Sequence, residues 1–119
     1  MAIAITTPQP GSFGFIINAT SADASGCEEL KAAPAAGKSI IIDQLTINNG
    51  SNAISITIGE GKNGAAVTTA LIGPIAMAAN TSIQWTFYPQ GMVLSAATAL
   101  TVDASGAGAV CIFAIGKIV

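Results

Sequence analysis

What most constrains this chain is a two-residue rhythm. Residues 53–58 place Ile54, Ile56 and Ile58 on one face, with Ser55 and Thr57 on the other. Residues 82–88 repeat it with Ile83, Trp85 and Phe87 against Gln84 and Thr86, and residues 98–103 repeat it with Leu100 and Val102 against Thr101 and Asp103. Strict alternation is the mark of a strand buried on one side, because successive side chains leave a pleated backbone in opposite directions. Turn chemistry separates the runs: Asn48-Asn49-Gly50-Ser51-Asn52, the glycine-rich stretch 59–64, Ala79-Asn80, Pro89-Gln90-Gly91 and Ser105-Gly106-Ala107-Gly108. Gly supplies positive φ, Asn tolerates it, and Pro stops a ladder. Strands are expected at 13–19, 27–32, 39–48, 53–58, 67–76, 82–88, 92–94, 98–103 and 109–118. Many short strands at this spacing read as an all-β sandwich or barrel.

Two runs break the alternation. Ile40-Ile41-Ile42 and Val110-Cys111-Ile112-Phe113-Ala114-Ile115 are apolar on both faces. A strand apolar on both faces is covered on both faces, so an arm of the chain or a neighbouring subunit is expected over the outer side. Val110, Ile112, Phe113 and Ile115 are therefore the candidate oligomer interface, since large exposed apolar patches are rare on monomers. Residues 1–12, with Pro8, Pro10 and Gly11, read as an extended N-terminal arm ahead of a single domain at 13–119. Ile3 and Ile5 lie at period two in the arm, which suits strand addition to a partner's sheet edge. Phe13 and Phe15 share a face at its end; core packing and anchoring into a partner both stand open for them. The segment from Ser25 is also open. Ser25 and Glu28 form a capping-box pattern, but Pro34 and Gly26 disfavour helix, so strand is expected over a short helix.

Composition narrows the function classes. Of 119 residues, 51% are hydrophobic and only 8% charged, against an ordinary charged share of about 25%, so the surface is either dressed in Ser, Thr, Asn and Gly or covered by protein. The cations are Lys31, Lys38, Lys62 and Lys117, there is no Arg, and the net charge is -2. Such a chain cannot neutralise a run of phosphates, which excludes a nucleic-acid partner. Mean hydropathy is +0.65, yet no apolar run approaches the ~20 residues of a membrane span, and the start lacks the basic region of an export signal. No membrane partner is expected, and Cys27 and Cys111 are read as free thiols, with a bridge as the alternative.

Chemistry is absent where it would be looked for. With no His, the usual general base and the commonest metal ligand are missing. Glu28 and Glu29 are adjacent and would point to opposite faces of a strand. The stretch Gly59-Glu60-Gly61-Lys62-Asn63-Gly64 lacks phosphate-loop spacing and reads as a hairpin loop. Trp85 and Phe87 share the phase of Ile83 and read as core, leaving Tyr88 as the surface aromatic. No enzymatic activity, catalytic residue, cofactor or metal is expected.

From about Cys27 onward the chain resembles small β-sandwich virion proteins of tailed bacteriophages, notably head decoration (capsid cement) proteins and related fibre and tail modules. The resemblance runs through Leu30-Lys31-Ala32-Ala33-Pro34-Ala35-Ala36-Gly37-Lys38, the strand from Ile40 to Ile47 with its Asn48-Asn49-Gly50 turn, and Ala70-Leu71-Ile72-Gly73-Pro74-Ile75-Ala76-Met77-Ala78-Ala79-Asn80. It continues through the Trp85-Phe87 strand with Pro89, and through Ala96 to Asp103 before the closing hydrophobic strand. It implies a jelly-roll-like antiparallel sandwich assembled as a homotrimer. It also implies a structural role on the outer capsid surface, made in the host cytoplasm and partnered by the major capsid protein. The other readings are a fibre, tail or neck module, and a carbohydrate-binding module in which Tyr88 and Trp85 are exposed.

Overall fold

A computed structural model describes residues 3–6, 14–21, 26–87, 89–106 and 109–119. Within them lie ten strands and no helix: β1 (Ile3–Thr6), β2 (Gly14–Ser21), β3 (Cys27–Lys31), β4 (Ile40–Asn49), β5 (Ile54–Asn63), β6 (Ala66–Met77), β7 (Ser82–Thr86), β8 (Met92–Val93), β9 (Leu100–Ala104) and β10 (Val110–Ile118). One sheet runs β1-β2-β10-β4-β7, with β8 also paired to β4; the other runs β3-β9-β5-β6. Every pair is antiparallel. The pairs β2·β10, β3·β9, β4·β7 and β5·β6 nest inside one another. The chain is thus a ribbon doubled at the β5–β6 hairpin and rolled so that successive turns alternate between sheets, which is a jelly roll.

The alternation decides what fills the space between the sheets. Ile54, Ile56 and Ile58 from β5, Leu100 and Val102 from β9, and Leu45 and Ile47 from β4 are all buried there, joined by Ile17, Leu30, Ile112 and Ala114. Trp85 and Ile83 pack against this core from the edge strand β7. Thr101 is the exception: its alternation phase is outward, yet it is fully buried. The β5–β6 hairpin accounts for this. Its end turns back so that Gly61 N–H donates to Ala99 O at 2.9 Å and Cys27 N–H donates to Ala65 O at 3.2 Å. Beneath it, the Thr101 hydroxyl donates to Gly61 O at 2.9 Å.

Several expectations change here. The stretch 59–64 is mostly strand: β5 continues to Asn63 and the turn is confined to Gly64 and Ala65. Glycine is needed within it because a Cβ at Gly59 would lie 2.6 Å from Thr69 O. Residues 27–31 form strand β3, so the helical alternative falls; Ser25 lies outside the described residues. The expected arm is in part a strand of the domain itself. Residues 3–6 pair with β2, Ile3 opposite Ser21 and Thr6 opposite Asn18. The strand addition foreseen for a partner is made to the chain's own edge, which covalent linkage keeps always at hand. Ile3 packs against the core and Ile5, at the open edge, is 40% exposed. Phe15 is a core residue, not an anchor, and Lys31 Nζ stands 5.1 Å above its ring. Phe13 and the rest of the arm, 1–2 and 7–12, lie outside the described residues. Val110 and Ile112, expected at an interface, are each 1% exposed and fill the intramolecular core, because their phase on β10 is inward.

A candidate assembly face

The outer face of the β1-β2-β10-β4-β7 sheet is where the remaining interface candidates lie. Cross-strand register orders its outward side chains into rows. One row runs Thr6, Asn18, Phe113, Thr46, Gln84; the next toward the end of β10 runs Ile16, Ile115, Gln44, Thr86; on the other side lie Ala4, Thr20, Cys111, Asn48, Ser82. Phe113, Ile115 and Ile16 are half-buried by these neighbours, whereas Asn18, Asn48 and Gln84 are exposed. Down β10 and β2 runs an apolar stripe, and on both sides of it stand carboxamides and hydroxyls. The face's charges are Lys117 and Asp43, 3.5 Å apart, which offset one another. All ten strands belong to the two sheets, so among the described residues no strand packs over this face. Ile41 is the outward residue of the isoleucine triplet, and the turn at Gly91 shields it: a Cβ there would come within 2.3 Å of Ile41 Cγ2.

Side-chain polarity on this face is partly spent locally. Ser82 Oγ donates to Asn48 Oδ1 at 2.6 Å, and Cys111 Sγ lies 3.4 Å from Asn18 Oδ1. Both cysteines are free thiols. Burial pushes the Cys27 thiol above its ordinary value; the Thr101 hydroxyl opposes this and the charge of Asp103 adds to it.

A shallow groove of about 510 Å³ is lined by Ala53, Ile54, Ser55, Ala76, Met77, Ala78 and Ser105, and no ionisable side chain is among them. No group of three His, Cys, Asp or Glu residues comes together among the described residues. Glu60 accepts from Ser95 N–H at 2.6 Å and from Ser95 Oγ at 2.7 Å, tying down the chain after β8. Trp85 faces inward, not outward as a sugar platform requires; Tyr88 lies outside the described residues. The sequence pattern had marked Phe113 and Ile115 by their two-sided run, but not the polar side chains beside them, because Asn18, Thr46 and Gln84 meet only through non-local strand pairing.

No protein-family model matches the chain, and no curated protein does. Among solved structures it is similar to the cupin domain of Schizosaccharomyces pombe Cnp3, at 9% identity and a TM-score of 0.43 over 97% of this chain. It spans 60% of that domain's length. It is also similar to a carbohydrate-binding module of Cellvibrio mixtus lichenase 5A, solved with cellotriose, at 19% identity and a TM-score of 0.36, covering 97% of this chain and 86% of that one.

Proposed function

We propose that the chain is a non-enzymatic structural module of a virus particle, a decoration protein bound as a homotrimer to the outside of a tailed-phage head. It stabilises the shell by bridging subunits of the major capsid protein. The observation that carries this reading is the outer face of the larger sheet, where Ile16, Phe113 and Ile115 stand in a stripe bordered by carboxamides and the charges of Lys117 and Asp43 offset one another. A face of this kind suits permanent contact with protein, since apolar groups lose water and the amides can pair across the seam. The sequence resemblance from Cys27 onward points to the same class. With no His and no Arg, the chain offers neither the usual general base nor an anion clamp. Each copy need contribute little, because many copies straddling subunit seams resist the same expansion together. With so few charges in the contact, binding depends weakly on salt.

The experiment is a count of copies per particle by quantitative mass spectrometry, with the shell's thermal midpoint measured before and after the protein is added back. Hundreds of copies and a raised midpoint are expected. A handful of copies would place the module on a fibre, tail or neck, and absence from particles would overturn the reading.

A further inference from the structure

In an Asn-Gly dipeptide the asparagine side chain is open to attack by the backbone, because the following residue has no Cβ to shield its nitrogen. The chain contains this dipeptide twice, at Asn49-Gly50 and Asn63-Gly64, and the fold treats the two in opposite ways. The first is locked. Asn49 is 7% exposed, and its Nδ2 group is held among the carbonyls of Asn52, Met77 and Ala78. Its backbone N–H donates to Thr81 O at 2.8 Å, and Gly50 O accepts from Asn80 N–H at 2.7 Å. Gly50 is itself crowded: a Cβ there would lie 2.3 Å from Ala109 O. The second dipeptide is open. Asn63 ends β5, Gly64 and Ala65 form the turn, and all three are exposed. Gly64 takes a positive φ of 63° and Ala65 does not, the pattern of a type II′ hairpin turn. Among the described residues neither the Asn63 side chain nor the Gly64 N–H makes a hydrogen bond, and a Cβ on Gly64 would meet nothing within 4 Å.

We propose that Asn63 is a site of spontaneous covalent modification, converting to aspartate and isoaspartate through a cyclic imide. The Gly64 nitrogen gives its proton to solvent base and attacks Asn63 Cγ. The N–Cγ bond forms, the Cγ–Nδ2 bond breaks, and Nδ2 leaves as ammonia with a proton drawn from water. Water then adds to one of the two imide carbonyls. Opening at the former side-chain carbonyl returns an ordinary backbone carrying aspartate. Opening at the former backbone carbonyl routes the chain through the side chain and lengthens it by one carbon. Attack requires Asn63 to turn about its Cα–C bond until the Gly64 nitrogen faces Cγ. At Asn63 only the exposed end of a hairpin must open, whereas Asn49 must first give up its buried side-chain and backbone bonds. Either product adds a negative charge beside Lys62 to a chain whose net charge is -2. The longer backbone falls next to the turn that Cys27 N–H holds through Ala65 O, so the isoaspartate form strains the tie between the hairpin and β3. The site lies on the other sheet from Phe113 and Ile115, and the modification stands independently of shell binding.

The test compares the two dipeptides within the unmodified protein. Lys62 separates them, so trypsin leaves Asn49 in peptide 39–62 and Asn63 in peptide 63–117. The protein is held at mildly alkaline pH, folded or in urea, and sampled over days for peptide mass spectrometry, with a zero-time sample to subtract conversion during digestion. In the folded protein Asn63 is expected to convert roughly tenfold or more faster than Asn49, which reacts only through local unfolding. In urea the two are expected to convert at similar rates, because the dipeptides are identical. Equal folded-state rates would overturn the proposal, as would a folded Asn63 that stays intact while the same residue converts in urea, or conversion at neither site in urea. Ion exchange of the intact protein gives a second reading. Asn63→Ser is expected to remove the acidic species that accumulates in wild type, and its accumulation at an unchanged rate overturns the proposal equally.

Discussion

Asn49 shows how much one side chain holds in place. It is buried at the end of β4, and its Nδ2 lies 2.8 Å from Asn52 O, 3.0 Å from Ala78 O and 3.3 Å from Met77 O. One amide group thereby ties the β4–β5 turn to the chain leaving β6. Its Oδ1 has no hydrogen-bond partner among the described residues. Asn49→Asp replaces two N–H donors with an acceptor among three carbonyls. It is expected to cost about 3 kcal/mol at neutral pH, measured by urea denaturation. The sign with pH is definite. Burial beside carbonyls raises the new carboxyl's pKa above its unfolded value, so the native state holds a proton the unfolded state has lost. Stability should therefore recover as pH falls, the reverse of an ordinary acid-sensitive carboxylate. Cys27 is the natural counterpart, its thiol held above the ordinary value chiefly by burial. Its contribution is complete below the unfolded thiol pKa and declines as pH rises past about 8.5. Wild type should lose stability between pH 8 and 10 faster than Cys27→Ala, by urea midpoints. An unchanged difference across that range would show that Cys27 ionises as freely folded as unfolded.

Strand β10 is the element on which the larger sheet depends, because β2 pairs along one side of it and β4 along the other. Its alternation carries Val110, Ile112 and Ala114 inward, then meets Gly116 at a register shift against β4. There the backbone of β4 and the ring of Phe15 close in: a Cβ at Gly116 would stand 2.3 Å from Ile41 O and 2.7 Å from Phe15 Cζ. A carbonyl in a paired strand cannot yield as a flexible side chain can. Gly116→Ala is therefore expected to cost about 3 kcal/mol, with faster hydrogen exchange in β2 and β4 as well as β10. A variant as stable as wild type would mean the strands separate there at little cost. The N-terminal strand sits at the other extreme. β1 has four residues and one neighbour among the described strands, and it meets the core through Ile3.

At the scale of the whole molecule, one face of β10 fills the core and the other lies in the outer face of the larger sheet, where Lys117 and Asp43 offset one another. Substitutions one residue apart on this strand should separate folding from assembly. Ile112→Lys places a charge between the sheets and is expected to abolish folding. Phe113→Lys is expected to leave the monomer within about 1 kcal/mol of wild type. If copies meet on this face, it should also weaken their association by roughly 3 kcal/mol, about a hundredfold in dissociation constant. Light scattering across a dilution series, alongside thermal melting, reads both effects. Retention of the wild-type mass by folded Phe113→Lys would remove this face from the assembly.

Period-two alternation, turn residues and β-branched composition are local properties, so the strands from Ile40 to Ile118 were legible in the sequence, and with them the inward side of Ile54–Ile58, Ile83–Phe87 and Leu100–Val102. The two-sided run at Val110–Ile115 was legible too, as a strand apolar on both faces. What the sequence could not divide was that run itself: Val110 and Ile112 belong to the core and Phe113 and Ile115 to the outer face. Phase is relative until the strand's neighbours are known. The same limit explains the arm, whose Ile3 and Ile5 promised a strand but not whose edge it would join. It also explains Thr101, outward by rhythm yet buried under a hairpin that arrives from 40 residues away. Backbone hydrogen bonding makes a strand wherever the pattern allows one. Only non-local pairing, which depends on every loop length and bulge between two segments, decides which strands meet and which side chains face water.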